Sequence, residues 1–109
     1  MNELSRDLLD EIVRRLVDAL HPAGICLFGS HASGTPDKGS DIDLLVVVDD
    51  GDVSCRELAR KGRRSLWGMC VPTDLVVCTT EEMEKWSHVS CNLLHTVAEK
   101  GQRIYARGR

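Results

Sequence analysis

Residues 41–50 read DIDLLVVVDD, an apolar run from Leu44 to Val48 closed on both sides by acidic residues. A run this short, rich in β-branched residues and bounded by turn formers, is a buried strand that lies centrally in a sheet. The rest of the chain must pack around it. Side chains two apart on a strand point to one side, so Asp41 and Asp43 share a face with their backbones about 6–7 Å apart. At an effective dielectric near 20 the two carboxylates repel by about 2–3 kcal/mol, a large share of the stability of a small domain. A divalent cation relieves that repulsion. Hard oxygen donors suit Mg²⁺, with Mn²⁺ as the alternative, and Mg²⁺ completes its octahedron with water and substrate phosphates. The competing reading has Asp41 capping a turn and Asp43 facing water at an exposed strand end.

The flanking segments read as alternating helix and strand. Leu4, Leu8, Leu9, Ile12, Val13, Leu16, Val17 and Leu20 recur at helical spacing with charges between them, which predicts an amphipathic helix. HPAG ends it, through Pro22 and the freedom of Gly24, and ICLF follows as a short strand. GSHASGTPDKGS is a loop whose first residues could open a short helix. Cys55 to Met69 is expected to be helical, with Leu58, Ala59, Leu66 and Trp67 as its apolar face despite Gly62. VPTDLVVCT returns to strand. TEEMEKW begins a helix with Thr79 or Thr80 as its cap, and a last helix is expected from Ser90 to Lys100. The order predicts an α/β (α+β) fold, a small sheet with helices mainly on one face.

A chain of 109 residues with these elements is read as one domain, 1–109. The formal net charge of -3 gives no general attraction for polyanions. An aromatic share of 4% leaves little for base stacking, so direct nucleic-acid binding is not expected. No apolar stretch is long enough for a membrane span and the N-terminus alternates charges, which points to a cytoplasmic protein. Cys26, Cys55, Cys70, Cys78 and Cys91 show no C-x-x-C pairing and read as reduced thiols, mostly in the core. The basic stretch Arg56, Arg60, Lys61, Arg63 and Arg64 reads as a solvated helix face, with an acidic partner or RNA as the functional alternative. His88 and His95 are separated by a helix break and do not read as a zinc pair.

Two further features turn the aspartate pair into a constellation. CLFGS delivers Gly29 and Ser30 straight off a strand, where a small-residue turn presents backbone N–H groups to an anion. Asp74, in VPTDLVV, completes a three-carboxylate cluster if its strand pairs beside the Asp41 strand. The stretch LFGSHASGTPDKGSDIDLLV, with Gly29-Ser30, ten intervening residues and then Asp41-Ile42-Asp43, resembles the minimal nucleotidyltransferases of the DNA polymerase β-like superfamily. TDLVV and the closing GQRIY match the family too, and the likeness runs from Ala23 to Tyr105.

The resemblance implies a nucleotidyltransferase fold with a mixed sheet. It implies transfer of a nucleoside monophosphate, AMP from ATP, to a hydroxyl with release of pyrophosphate. Gly29, Ser30 and Ser40 would bind the nucleotide. Asp41, Asp43 and Asp74 would hold two Mg²⁺ ions, and Asp74 would also favour deprotonation of the acceptor. Many relatives carry Arg where this chain has His31, and neutral imidazole offers a phosphate less than guanidinium does. Small members of this family act as antitoxins that adenylylate a HEPN-domain toxin, so a protein partner is the expected acceptor. A non-catalytic module that neutralises a partner by binding is the alternative, and an oligomer is open to either.

Overall fold

The computed structural model describes residues 6–28, 42–51, 54–69, 73–86 and 101–107. Within them the chain runs α1 (Arg6–Leu20), β1 (Gly24–Phe28), β2 (Ile42–Val48), α2 (Cys55–Ser65), β3 (Thr73–Thr79), α3 (Thr80–Trp86) and β4 (Gln102–Ala106). The four strands form one sheet in the order β3-β2-β1-β4. The apolar run of β2 is internal, as expected. β1 is antiparallel to both β2 and β4, whereas β2 and β3 are parallel.

Alternation along β2 divides the core in two. Ile42, Leu44, Val46 and Val48 join Ile12, Leu16 and Leu20 of α1, Ile25 and Leu27 of β1, and Leu75 of β3. Leu45 lies on the other face with Cys26 and Cys78, against Val47, Val76 and Met83 of α3. The two long helices therefore cover one face, and short α3 meets the other. Cys26, Cys55 and Cys78 are free thiols. Burial and the nearby Glu82 carboxylate push Cys78 up to about 12, so it stays protonated at neutral pH.

Each helix end has a local cause. His21, held out of the right-handed helix by Pro22, takes φ +48° and donates its N–H to the Val17 carbonyl at 2.9 Å. The left-handed stop is thus made by His21, and Gly24, expected to loosen this turn, is already the first residue of β1. Ser54 caps α2 by accepting from the Glu57 N–H at 3.2 Å. Thr79 caps α3 reciprocally. Its Oγ1 accepts from the Glu82 N–H, and its own N–H donates to Glu82 Oε1, both at 3.1 Å, a capping box of the expected kind.

Three features differ from the expectation. β4 was not anticipated, since Gln102 and Arg103 interrupt any apolar run. A register shift sets Ile25 opposite Tyr105 and Cys26 opposite Arg103, leaving Ile104 as a bulge that lets it and Tyr105 both pack on the core. Helix α2 stops at Ser65, before Met69, and Trp67 beyond it is 86% exposed, so it is no part of the apolar face. Gly62 is a packing requirement: a Cβ there would come within 2.5 Å of Leu75 Cδ2, 3.2 Å of Leu20 Cδ1 and 3.3 Å of Leu16 Cδ2. The helix expected from Ser90 to Lys100, Leu4, Cys70, Cys91, His88 and His95 lie outside the described residues.

Two outcomes follow from this packing. Gly62→Ala gains about 1 kcal/mol of helix propensity, but overpacking between three buried leucines costs about 1–3 kcal/mol. The variant should therefore melt several degrees lower by circular dichroism. A higher melting temperature would contradict the close approach. On α1, hydrogen bonds from Arg14 and Arg15 hold the Glu11 carboxyl below its ordinary 4.5, at about 2. A carboxylate lowered by folding stabilises above its unfolded pKa, and that contribution is lost as pH falls through the folded one. The gap in urea midpoint between wild type and Glu11→Gln should be present at pH 6 and close between pH 4.5 and 2. A gap independent of pH would show that the ion pairs contribute nothing.

Candidate active site

The parallel pairing of β2 and β3 sets Asp43 directly opposite Asp74. On its other side Asp43 is opposite Phe28, the last residue of β1. Three strands thus carry the row Asp74, Asp43, Phe28 at the end of the sheet where β2 and β3 begin and β1 finishes. By alternation all three side chains belong to the face of Leu45, Val76 and Cys26, away from α1 and α2. Asp74 is exposed, and Asp43 and Phe28 are half-buried.

Neighbouring strands run about 4.8 Å apart, which sets the two carboxylates side by side across the strand pair. Two charges at about 5 Å repel by about 1 kcal/mol in water and about 3 kcal/mol at an effective dielectric of 20. Exposure of Asp74 keeps the cost toward the lower figure. Paired hard oxygen donors on one face form the kind of set that takes Mg²⁺ or Mn²⁺, so the residues present fit such an ion. Among the described residues no three His, Cys, Asp or Glu side chains meet as a metal cluster. Asp41, Gly29, Ser30 and Ser40 lie outside the described residues, as do His31 and Lys38.

The acids at the other end of β2 have different work. Asp49 takes both Arg107 guanidinium nitrogens, at 2.7 and 2.8 Å, which holds its carboxyl below the usual range. Asp50 accepts the Glu81 N–H at 2.8 Å and so helps start α3. These carboxylates tie down the C-terminal strand and a helix. Phe28 escaped notice in the sequence. Its place in ICLF was legible, but only the antiparallel register sets it beside Asp43.

A family model described as a nucleotidyltransferase domain matches residues 7–98. Curated proteins give no match. Among solved structures, a candidate nucleotidyltransferase from Sulfolobus solfataricus superposes with a TM-score of 0.66 at 20% identity, covering 93% of this chain and 79% of its own. A toxin–antitoxin structure with AMP-PNP gives 0.56 at 27% identity, covering 90% and 73%. The toxin–antitoxin pair MntA-HepT gives 0.54 at 23% identity, covering 94% and 74%. No helix of the described residues is long and apolar enough to cross a membrane.

The lateral carboxylate pair makes a stability prediction. In metal-free buffer, Asp74→Asn should raise the unfolding free energy by about 1 kcal/mol by removing repulsion. Millimolar Mg²⁺ should then raise the wild-type melting temperature more than that of the variant. Equal Mg²⁺ responses would dissociate Asp74 from any cation.

Proposed function

Because the chain belongs to the nucleotidyltransferase domain family, we propose that it transfers a nucleoside monophosphate, AMP from ATP, to a hydroxyl on a partner protein such as a HEPN-domain toxin. The observation that carries this reading is Asp43 in register with Asp74 across a parallel strand pair. In that role Asp41, Asp43 and Asp74 hold the cations, and Gly29, Ser30 and Ser40 bind the triphosphate. Two Mg²⁺ ions, when bound, supply charge stabilisation for the attacking and leaving oxygens of an in-line displacement.

The remaining steps belong to the chain's own residues. The exposed Asp74 meets the incoming hydroxyl and favours loss of its proton. The acceptor oxygen bonds to the α-phosphorus as the bond to the β-phosphate oxygen breaks, and pyrophosphate leaves. Half-buried Asp43, flanked by Phe28, keeps one side of the carboxylate pair out of bulk water and strengthens its electrostatics. The toxin–antitoxin structure with AMP-PNP that shares the fold supports a nucleotide, a protein partner and an antitoxin role. Exposed Trp67 favours, as a second reading, a module that neutralises its partner by binding alone.

Incubation with ATP labelled at the α- or γ-phosphate, Mg²⁺ and the protein encoded beside it separates the two. Transfer of the α-label alone, reduced at least about 100-fold by Asp43→Asn with Asp74→Asn, is the expected result. Neutralisation of the partner with no label transferred by wild type would leave the binding module.

A further inference from the structure

Helix α2 exposes Arg56, Arg60, Lys61, Arg63 and Arg64, five cations in a chain of net charge -3. Among the described residues none of the five has an ion pair, although Arg14, Arg15 and Arg107 all do. Arg56, Arg60 and Arg64 stand four apart, so like charges stack on one stripe, a spacing that destabilises a helix. Arg63 and Arg64 suit the negative end of the helix dipole, but Arg56 sits in the first turn, where a cation is unfavourable. Helix stability alone does not account for the stripe.

Trp67 continues that stripe beyond the helix end. Its backbone is held at both its N–H and its carbonyl. The Trp67 N–H donates to the Arg64 carbonyl at 3.1 Å, and Arg15 Nη1 donates to the Ser65 and Trp67 carbonyls at 3.3 and 3.0 Å. Arg15 is itself held by Glu11 at 2.8 Å. Gly68 then turns the chain at φ +89°, a conformation few other residues accept. A backbone this well tied displays an indole that is 86% exposed, the one large hydrophobic side chain so exposed among the described residues.

Tryptophan and arginine are the side chains most enriched at the energetic centres of protein interfaces. A base-stacking platform uses several aromatics in succession, and among the described residues one large aromatic is so exposed. We propose that the Arg56–Arg60–Arg63–Arg64–Trp67 stripe is a docking surface for an acidic segment of a partner protein that also offers an apolar seat for the indole. The occupant follows from charge complementarity with cations that have no ion pair among the described residues. Since α2 crosses over from the end of β2 to the start of parallel β3, its C-terminal end and Trp67 lie at the Asp43–Asp74 end of the sheet. A partner held there sits at the same end of the sheet as the carboxylates but over the opposite face, so it meets them by reaching around that end, which rests on the reading that the acceptor is a protein.

Fluorescence anisotropy of a labelled Glu/Leu peptide, compared with an oligouridylate of equal charge, tests the surface without catalysis. The peptide should bind wild type more tightly than the RNA does, and Trp67→Ala or Arg60→Glu with Arg64→Glu should each weaken it by about tenfold. Melting temperatures should hold for both variants, because every substituted side chain is exposed. Tighter RNA binding, or peptide binding indifferent to the substitutions, overturns the proposal. In the label-transfer assay Trp67→Ala should raise KM for the protein acceptor and leave KM for ATP unchanged. Unchanged acceptor KM in an active enzyme also overturns it, whereas peptide docking with no transfer counts against the transferase reading alone.

Discussion

Parallel pairing between β2 and β3 is the constraint on which the rest depends. Parallel neighbours cannot be joined by a tight turn; they need a crossover, and α2 provides it. The register that results sets Asp43 beside Asp74. It is held by α2 lying close enough to β3 and α1 that Gly62 leaves no space for a methyl group. A helix propensity defect and a carboxylate pair are thus two ends of one arrangement.

The strand β2 carries acids at both ends, and the fold treats them differently. Asp49 and Asp50 are satisfied by Arg107 and by the backbone of α3, so their charge is spent on structure. At the other end the nearest charged neighbour across the ladder is another carboxylate. Repulsion between like charges is tolerated where a ligand removes it, and a divalent cation is the kind of ligand that paired carboxylates suit.

Much of this was legible in the sequence. The apolar spacing of α1, the β-branched runs of β2 and β3, and the Thr79–Glu82 box each state their structure locally. Asp43 and Asp74 drew attention because each precedes an apolar run in the sequence, and the parallel register sets these two side by side; Asp41 lies outside the described residues. What was illegible depends on distant partners. Gln102–Ala106 is a strand only because the edge of β1 accepts it and a bulge at Ile104 turns two residues to the core. Gly62 resembled a flaw until Leu16, Leu20 and Leu75 were seen around it. Trp67 looked like core because its spacing continues a helix, yet the helix ends at Ser65, and the indole turns outward.

In the proposed function a cation seats on the Asp43–Asp74 pair beside Phe28, whereas the Asp49–Asp50 end is structural. Paramagnetic Mn²⁺ distinguishes the two directly through line broadening in the backbone amide spectrum of the intact protein. Selective loss of the Asp43, Asp74 and Phe28 signals at substoichiometric Mn²⁺, with the Asp49, Asp50 and Glu81 signals kept, is the predicted result. Broadening centred on Asp49 and Asp50, or spread evenly over all surface acids, would contradict it.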